Sequence, residues 1–322
     1  MYKIAGAVLA AVFASPALAQ EQPAMQPAST GGFWNNWSGF VENKISPALG
    51  EPISDAFADD YVDQSEYEAA LAIQRPLDFA GGLLMEVRGG FTAQPHLSDD
   101  NAQESSYYGQ LTLGDTYLPL GRAVQDGRLQ KADDIEDAVR LFGRYRFASV
   151  HSGFLEKRTR DEQQTTAGIR YRDVRRIRCT DGRTAKSEYP CGNVAGWSWE
   201  ARAELTYLWS TESSKDRIFP TVRGDIISGP FWGGFRGVVS AVGEWSFYQN
   251  ERVGPESDLR QDFRLRVQAG VDITGPLRRL FGGSKAVSGE VLGRFQRNWS
   301  DRSDKEHSRI YFVPSLSFRT TF

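Results

Sequence analysis

The chain has 322 residues and a formal net charge of −3, with 38 basic and 41 acidic side chains mixed along its length. So small and so mixed a charge gives no reason to expect nucleic acid as a partner. Beyond the first twenty residues no apolar run approaches the ~18 residues that a spanning helix needs, which excludes a helical membrane protein.

The N-terminal stretch differs from the rest. Lys3 gives a short basic start, Ile4 to Phe13 is apolar, and Ala17-Leu18-Ala19 forms an A-x-A cleavage site before Gln20. This is the pattern of a secretory signal peptide over 1–19. No Cys follows the site, so a lipoprotein is not expected. Glu21 to Gly32, rich in Pro, Gln, Ala and Ser, reads as a flexible leader. Phe33, Trp37, Phe40, Val41 and Ile45 recur at helical spacing and predict a short amphipathic helix over 33–46, on a membrane-facing rim, in a barrel mouth or against the protein itself. The expected division is a signal peptide at 1–19, a leader and helix at 20–47, and one β-domain at 48–322.

From Gln64 onward the period changes to two. In 138–149, Val139, Leu141, Gly143, Tyr145 and Phe147 alternate with Arg140, Arg144 and Arg146. In 195–209, Trp197, Trp199, Ala201, Ala203, Leu205, Tyr207 and Trp209 oppose Ser198, Glu200, Arg202, Glu204 and Thr206. The runs 231–248, 258–274, 286–300 and 309–322 behave in the same way, and weaker runs lie at 64–75, 83–94, 105–118, 163–172 and 217–228. Alternation over about eleven runs is the mark of half-buried strands. A soluble sandwich also alternates. Here, however, the polar face carries Arg and Glu in mid-strand, while Trp197, Trp199, Trp209, Phe231, Trp245, Trp299, Phe318 and Phe322 gather at strand ends. A wet lumen tolerates the first feature, and the two lipid interfaces select the second.

The last strand, Tyr311-Phe312-Val313-Pro314-Ser315-Leu316-Ser317-Phe318-Arg319-Thr320-Thr321-Phe322, resembles the C-terminal signature of bacterial outer-membrane proteins. Phe322, Thr320, Phe318, Leu316 and Phe312 carry the likeness, and Pro314 departs from it by removing one ladder hydrogen bond. The resemblance implies an all-β transmembrane barrel of antiparallel up-and-down strands in the outer membrane. It also implies that Phe318 and Phe322 belong to the strand read by the barrel-assembly machinery. Such barrels have even strand numbers. One further strand within 48–62 gives about twelve, with ten as the alternative. A periplasmic C-terminus puts 210–216, 249–257 and 301–308 outside, and Ser228-Gly229-Pro230 inside. The same count leaves two long segments, 119–137 and 173–194, on the periplasmic side, which implies either a role there, such as binding a periplasmic partner, or one more strand between them; Asp126 to Arg140 has helical character and reads as a periplasmic helix.

The inward-facing list is rich in arginine: Arg140, Arg144, Arg146, Arg170, Arg202, Arg236, Arg260, Arg264, Arg266 and Arg294, with Arg88, Arg172 and Arg319 beside them. Its acids are fewer: Glu68, Glu86, Glu200, Glu204, Glu244, Asp262, Asp272 and Glu290. Rings of Arg favour anions in a pore, and a guanidinium fits a carboxylate through two parallel bonds. The inventory is similar to that of small porins that pass acidic sugars, and it predicts a passive channel for small anionic solutes. A closed barrel for envelope organisation or polymer export is the second reading, with long side chains filling the lumen with salt bridges. A rim hydrolase is the third, resting on His96, His151 and His307, the chain's three histidines. More weight falls on no catalysis. No catalytic residue is assigned, and no metal or cofactor motif is present. Cys179 and Cys191, the only cysteines, lie in a polar loop, and in an oxidising compartment a disulfide between them is expected. Closing that loop would stabilise it by roughly 3 kcal/mol.

Overall fold

Alternating strands cannot bury one face each as isolated hairpins. They also cannot leave backbone edges unpaired in hydrocarbon, so the stable solution is a closed sheet. The computed structural model of the chain describes residues 37–46, 49–52, 66–77, 83–94, 104–117, 124–125, 128–129, 138–174, 177–179, 184–185, 194–195, 197–253, 259–284 and 286–321. In chain order its strands are β1 (Ser38–Ser46), β2 (Leu49–Pro52), β3 (Glu66–Leu77), β4 (Leu83–Gln94), β5 (Glu104–Tyr117), β6 (Val124–Gln125), β7 (Arg128–Leu129), β8 (Ala138–Ser152) and β9 (Lys157–Val174). They continue as β10 (Ile177–Cys179), β11 (Thr184–Ala185), β12 (Val194–Ala195), β13 (Trp197–Ser210), β14 (Arg217–Ser228), β15 (Arg236–Arg252), β16 (Leu259–Asp272), β17 (Val287–Ser300) and β18 (His307–Thr321). One helix, α1 (Thr274–Leu280), joins β16 to β17.

Each long strand pairs antiparallel with the next long strand in sequence, and β1 pairs with both β3 and β18, which closes the sheet. β2 lies along β18 in the register that β1 begins, from Ile45↔Leu316 to Leu49↔Phe312. β1 and β2 together therefore act as one wall strand, and the barrel has twelve.

The twelve-strand expectation holds, but two boundaries change. Residues 38–46 form a strand and not the expected helix, so the barrel starts at Ser38 and not at 48. The helical spacing of Phe40, Val41 and Ile45 is equally a strand reading, in which Phe40, Glu42, Lys44 and Ser46 take one face. Without β1, both β3 and β18 would be open edges, and that backbone demand outweighs a six-residue periodicity. Likewise, part of the segment expected as a helix over 126–140 is the β6–β7 hairpin followed by the start of β8. The signal peptide, the leader, Phe33, His96, Phe322, Cys191 and the side chain of Cys179 lie outside the described residues.

The start of β1 and the end of β18 share one rim, here called the terminal rim. The opposite edge is the far rim. Short reversals mark the far rim: Ser152 to Lys157, Ser210 to Arg217 and Ser300 to His307. The β6–β7 hairpin and a three-stranded sheet in the order β11-β10-β12 fall within the two long terminal-rim connections, as the strand count required. Outward positions are apolar and open: Leu71, Leu111, Leu141, Ile169, Leu205, Val222, Val239 and Val267. Aromatic clusters bracket them. Phe91 contacts Tyr107 and Phe154 at one part of the far rim, and Phe263 contacts Trp245 and Trp299 at another. At the terminal rim Tyr171 packs on Trp199, Trp232 on Phe235, and Phe281 on Phe318.

Candidate functional site

The inward face is set by strand register, and the register aligns arginines. Arg140 faces Arg170, Arg170 faces Arg202, and Arg202 faces Arg223. The row continues through Val242 to Arg266, then Gln296 and Arg309. A single line of hydrogen-bonded positions across β8, β9, β13, β14, β15, β16, β17 and β18 thus carries Arg at most of its steps. Like charges placed directly opposite each other destabilise a sheet. A row of this kind persists only where neighbouring acids, water or a ligand answer it.

On part of the wall the answer is intramolecular. Arg202 bonds Glu204 at 3.2 Å and lies 3.8 Å from Glu200, while Arg144 reaches Glu204 at 3.5 Å. Arg223 grips Asp225 with two bonds, at 2.7 and 2.9 Å. Across β1, β3, β4 and β5 a denser knot forms. Arg88 bonds Glu42 at 3.0 Å, Glu68 at 2.8 Å and the Tyr108 hydroxyl at 3.0 Å, and that hydroxyl donates in turn to Glu68. Arg319 stacks on buried Phe40, 3.5 Å from its ring centre, and Arg146 lies 4.3 Å from that of Tyr108. Gly90 makes the knot possible. A Cβ there would come within 2.7 Å of the Tyr108 ring and 2.8 Å of the Ala69 carbonyl, so no other residue lets the tyrosine lie flat on the wall.

The far rim above β15–β17 is locked by a second network. Asp262 accepts two bonds from Arg260 and one from Ser300, Arg260 and Arg302 both reach Glu251, and the Arg260 guanidinium lies 4.3 Å from the Tyr248 ring centre. Its members satisfy one another, so its role is structural.

The lumen is open elsewhere. A cavity of about 850 Å³ is lined by Glu66 and Gln94 at the far-rim ends of β3 and β4, by Ser46 midway along the β1–β2 wall strand, and by Thr274 and Ser288 at the terminal rim. Between them its wall includes Arg264, Arg266, Gln268 and Arg294. Arg266 has no hydrogen-bond or ion-pair partner among the described residues, Arg264 has only Glu244 at 3.9 Å, and Arg294 donates to Gln268 at 3.2 Å. None of the acids lining the cavity, Glu66, Glu200, Asp225, Asp272 and Glu290, hydrogen-bonds this group, although Glu66 and Glu290 act on Arg294 through space. On β16 Asp272 follows Arg266 by six residues, and on β17 Glu290 precedes Arg294 by four, a strand distance of roughly 13 Å for the shorter gap.

The sequence-assigned arginines therefore separate. Arg264, Arg266 and Arg294 line the cavity. Arg144, Arg202 and Arg260 are neutralised by neighbouring acids, and Arg146 stacks on Tyr108. Arg170 and Arg236 are each engaged in interactions of their own. Arg140 takes its place in the register, while its side chain lies outside the described residues. Arg223, Arg309 and Lys44 were not singled out in sequence, although Ile218, Val222 and Ile226 alternating with Arg217, Thr221, Arg223 and Asp225 already held the signal for β14.

The described histidines do not assemble a catalytic group. His151 ends β8 with its ring edge against Tyr107, and its Nδ1 has no hydrogen-bond partner. His307 begins β18, with Nδ1 3.1 Å from the Lys305 carbonyl and Nε2 3.5 Å from the Gln296 amide. The two strands stand on opposite sides of the closed sheet, and among the described residues neither ring bonds a carboxylate. No group of three or more metal-ligating side chains occurs among the described residues.

A closed antiparallel sheet of twelve strands, apolar outside, belted by aromatics and charged inside, defines a transmembrane β-barrel of the Gram-negative outer-membrane class. No family model matches the chain, and no curated protein matches it in sequence. Among solved structures it is similar to an outer membrane channel from Pseudomonas putida F1, at 9% identity over 94% of this chain and 100% of that one, with a TM-score of 0.40. It is also similar to LpxR from Salmonella typhimurium, at 9% identity over 86% and 99% with a TM-score of 0.37. The beta domain of the Bordetella autotransporter Brka gives 14% identity over 89% and 100%, with a TM-score of 0.36. Likeness at this level carries no argument about solute or activity.

Proposed function

We propose that the chain is a passive outer-membrane channel that prefers small anionic or acidic-sugar solutes. The observation that carries this reading is the cavity whose lining runs from far-rim strand ends to the terminal rim past Arg264, Arg266 and Arg294. The lining also carries Glu66, Glu200, Asp225, Asp272 and Glu290, but the three guanidinium groups gather on one wall, and a cationic stretch of that kind lowers the barrier for anions and raises it for cations. The Cys179–Cys191 disulfide and recognition of the last strand by the assembly machinery belong to the same proposal.

The test is a planar bilayer holding the purified protein across a tenfold KCl gradient. The reversal potential is expected to take the sign of the chloride equilibrium potential. A potassium-like sign, or zero, counts against anion preference.

A second reading draws on a different observation, the knot around Arg88. If such packing continued across the lumen, the barrel would be closed and would act through a periplasmic partner at 119–137 or 173–194. That version gives no unitary current at all.

A further inference from the structure

Most lumen arginines are answered by the wall itself, and the exceptions are concentrated in one place. Arg264 and Arg266 are successive inward residues of β16, and Arg294 stands on the adjacent strand, opposite Gln268. Three guanidinium groups thus sit on neighbouring positions of one face, bordering the same cavity. The polar groups around them are also incompletely used. Ser240 is 1% exposed, lines the cavity opposite Gln268 and Asp225, and its Oγ has no hydrogen-bond partner among the described residues. Tyr311, 3% exposed, faces Arg294 in register, and its hydroxyl is likewise without one. Arg264 and Arg266 also have a buried Nε with no acceptor.

Burying donors and hydroxyls unpaired is costly, and clustering like charges adds to the cost. Elsewhere in this lumen an acid is supplied within reach: Glu204 for Arg202, Asp225 for Arg223 and Asp262 for Arg260. On the β15–β18 wall Glu244 faces Arg264 in register but approaches it only to 3.9 Å, Asp262 is taken up by Arg260 and Ser300, and Asp272 and Glu290 stand closer to the terminal rim. The wall therefore offers a guanidinium fork for an oxyanion, with hydroxyl and amide groups on either side.

Resting on the channel reading above, we infer that this wall is a discrete binding site for a solute carrying a carboxylate on a polyhydroxylated frame, a sugar acid or hydroxy acid. Arg266 takes the carboxylate through two parallel bonds. Arg264 and Arg294 flank it and add charge. Ser240, Gln268 and Ser315 face the hydroxyls, and that is where selection against simple inorganic anions arises. The cavity volume of about 850 Å³ accommodates one small solute together with its remaining hydration.

The experiment measures D-glucuronate binding to the detergent-solubilised full chain by calorimetry, and its block of chloride current in bilayers. Glucuronate is expected to bind saturably and to reduce the current over the same concentration range. Glucose, with the hydroxyls but no carboxylate, is expected not to bind. Acetate, with the carboxylate alone, is expected to bind at least about fivefold more weakly. Arg266→Ser should weaken glucuronate at least about tenfold, since a charge-assisted fork is lost. Arg266→Lys should recover only part of that loss, since it restores charge without the fork. Lys215→Gln, at an exposed far-rim turn, removes one positive charge and should change nothing. Because Arg266 has no partner in the wall, neither Arg266 variant strands a carboxylate, and both are expected to fold.

Equal binding of glucose and glucuronate overturns the site, as does a wild-type affinity in Arg266→Ser. Anion-selective current with no glucuronate binding also overturns the site and leaves the channel reading standing. Glucuronate binding without current does the reverse.

Discussion

Replacing Arg88 by Met is expected to lower the unfolding free energy by about 3–5 kcal/mol, the cost of breaking a buried ion pair by removing one partner. The size follows from what is left behind. Glu42 and Glu68 both point at the guanidinium, and their side chains are only 21% and 19% exposed. With Arg88 gone, two carboxylates and the Tyr108 hydroxyl share a partly dry pocket with no cation in the fork position. Urea unfolding, followed by the gel mobility of unheated samples, reads the effect. The triple variant Glu42→Gln, Glu68→Gln, Arg88→Met should regain most of the loss, because a neutral set strands no charge. A single variant as stable as wild type, or a triple variant no better than the single, would show that the knot contributes little.

The second large effect concerns closure. Asn43 sits in mid-β1, opposite Phe318 of β18 and Ala69 of β3. Asn43→Pro removes an N–H from an interior strand and strains its pairing, a change that costs about 3 kcal/mol or more in regular structure. In hydrocarbon each further unpaired backbone group costs several kcal/mol. The variant is therefore expected to yield no heat-modifiable folded band in outer-membrane fractions. Were residues 38–46 a helix lying outside the wall, the same substitution would leave a folded barrel.

How much of this was legible in the sequence depends on which force sets each feature. Alternation on β8, β13, β16 and β18 is a local signal, so the faces of Arg144, Arg202, Arg266 and Arg319 could be read directly. The identity of β1 was not legible, because Phe40, Val41 and Ile45 fit two periodicities and the deciding term is the pairing of β3 and β18, far away in sequence. The cavity was hidden for a similar reason. The i,i+2 pairs Arg202–Glu204, Arg223–Asp225 and Arg260–Asp262 are local, but the remaining neutralisation depends on how the strands align, which brings Arg88 to Glu68 while Arg266 meets Gln296. Arg223 was missed because Pro220, Gly224 and Asp225 blur the period of β14, although its register places it squarely in the arginine row.

The central claim is that solute and water pass through the cavity beside β16–β18. With Cys179 and Cys191 replaced by Ser, Ser315→Cys puts a thiol on the cavity wall, and Val239→Cys puts one on the outward face at 47% exposure. A charged methanethiosulfonate is then added to single channels. The account predicts labelling of Ser315→Cys and a fall in unitary conductance of about half or more, as a charged adduct narrows the track, with Val239→Cys unaffected. An unlabelled thiol at 315, or full current after labelling is confirmed by mass, would contradict it.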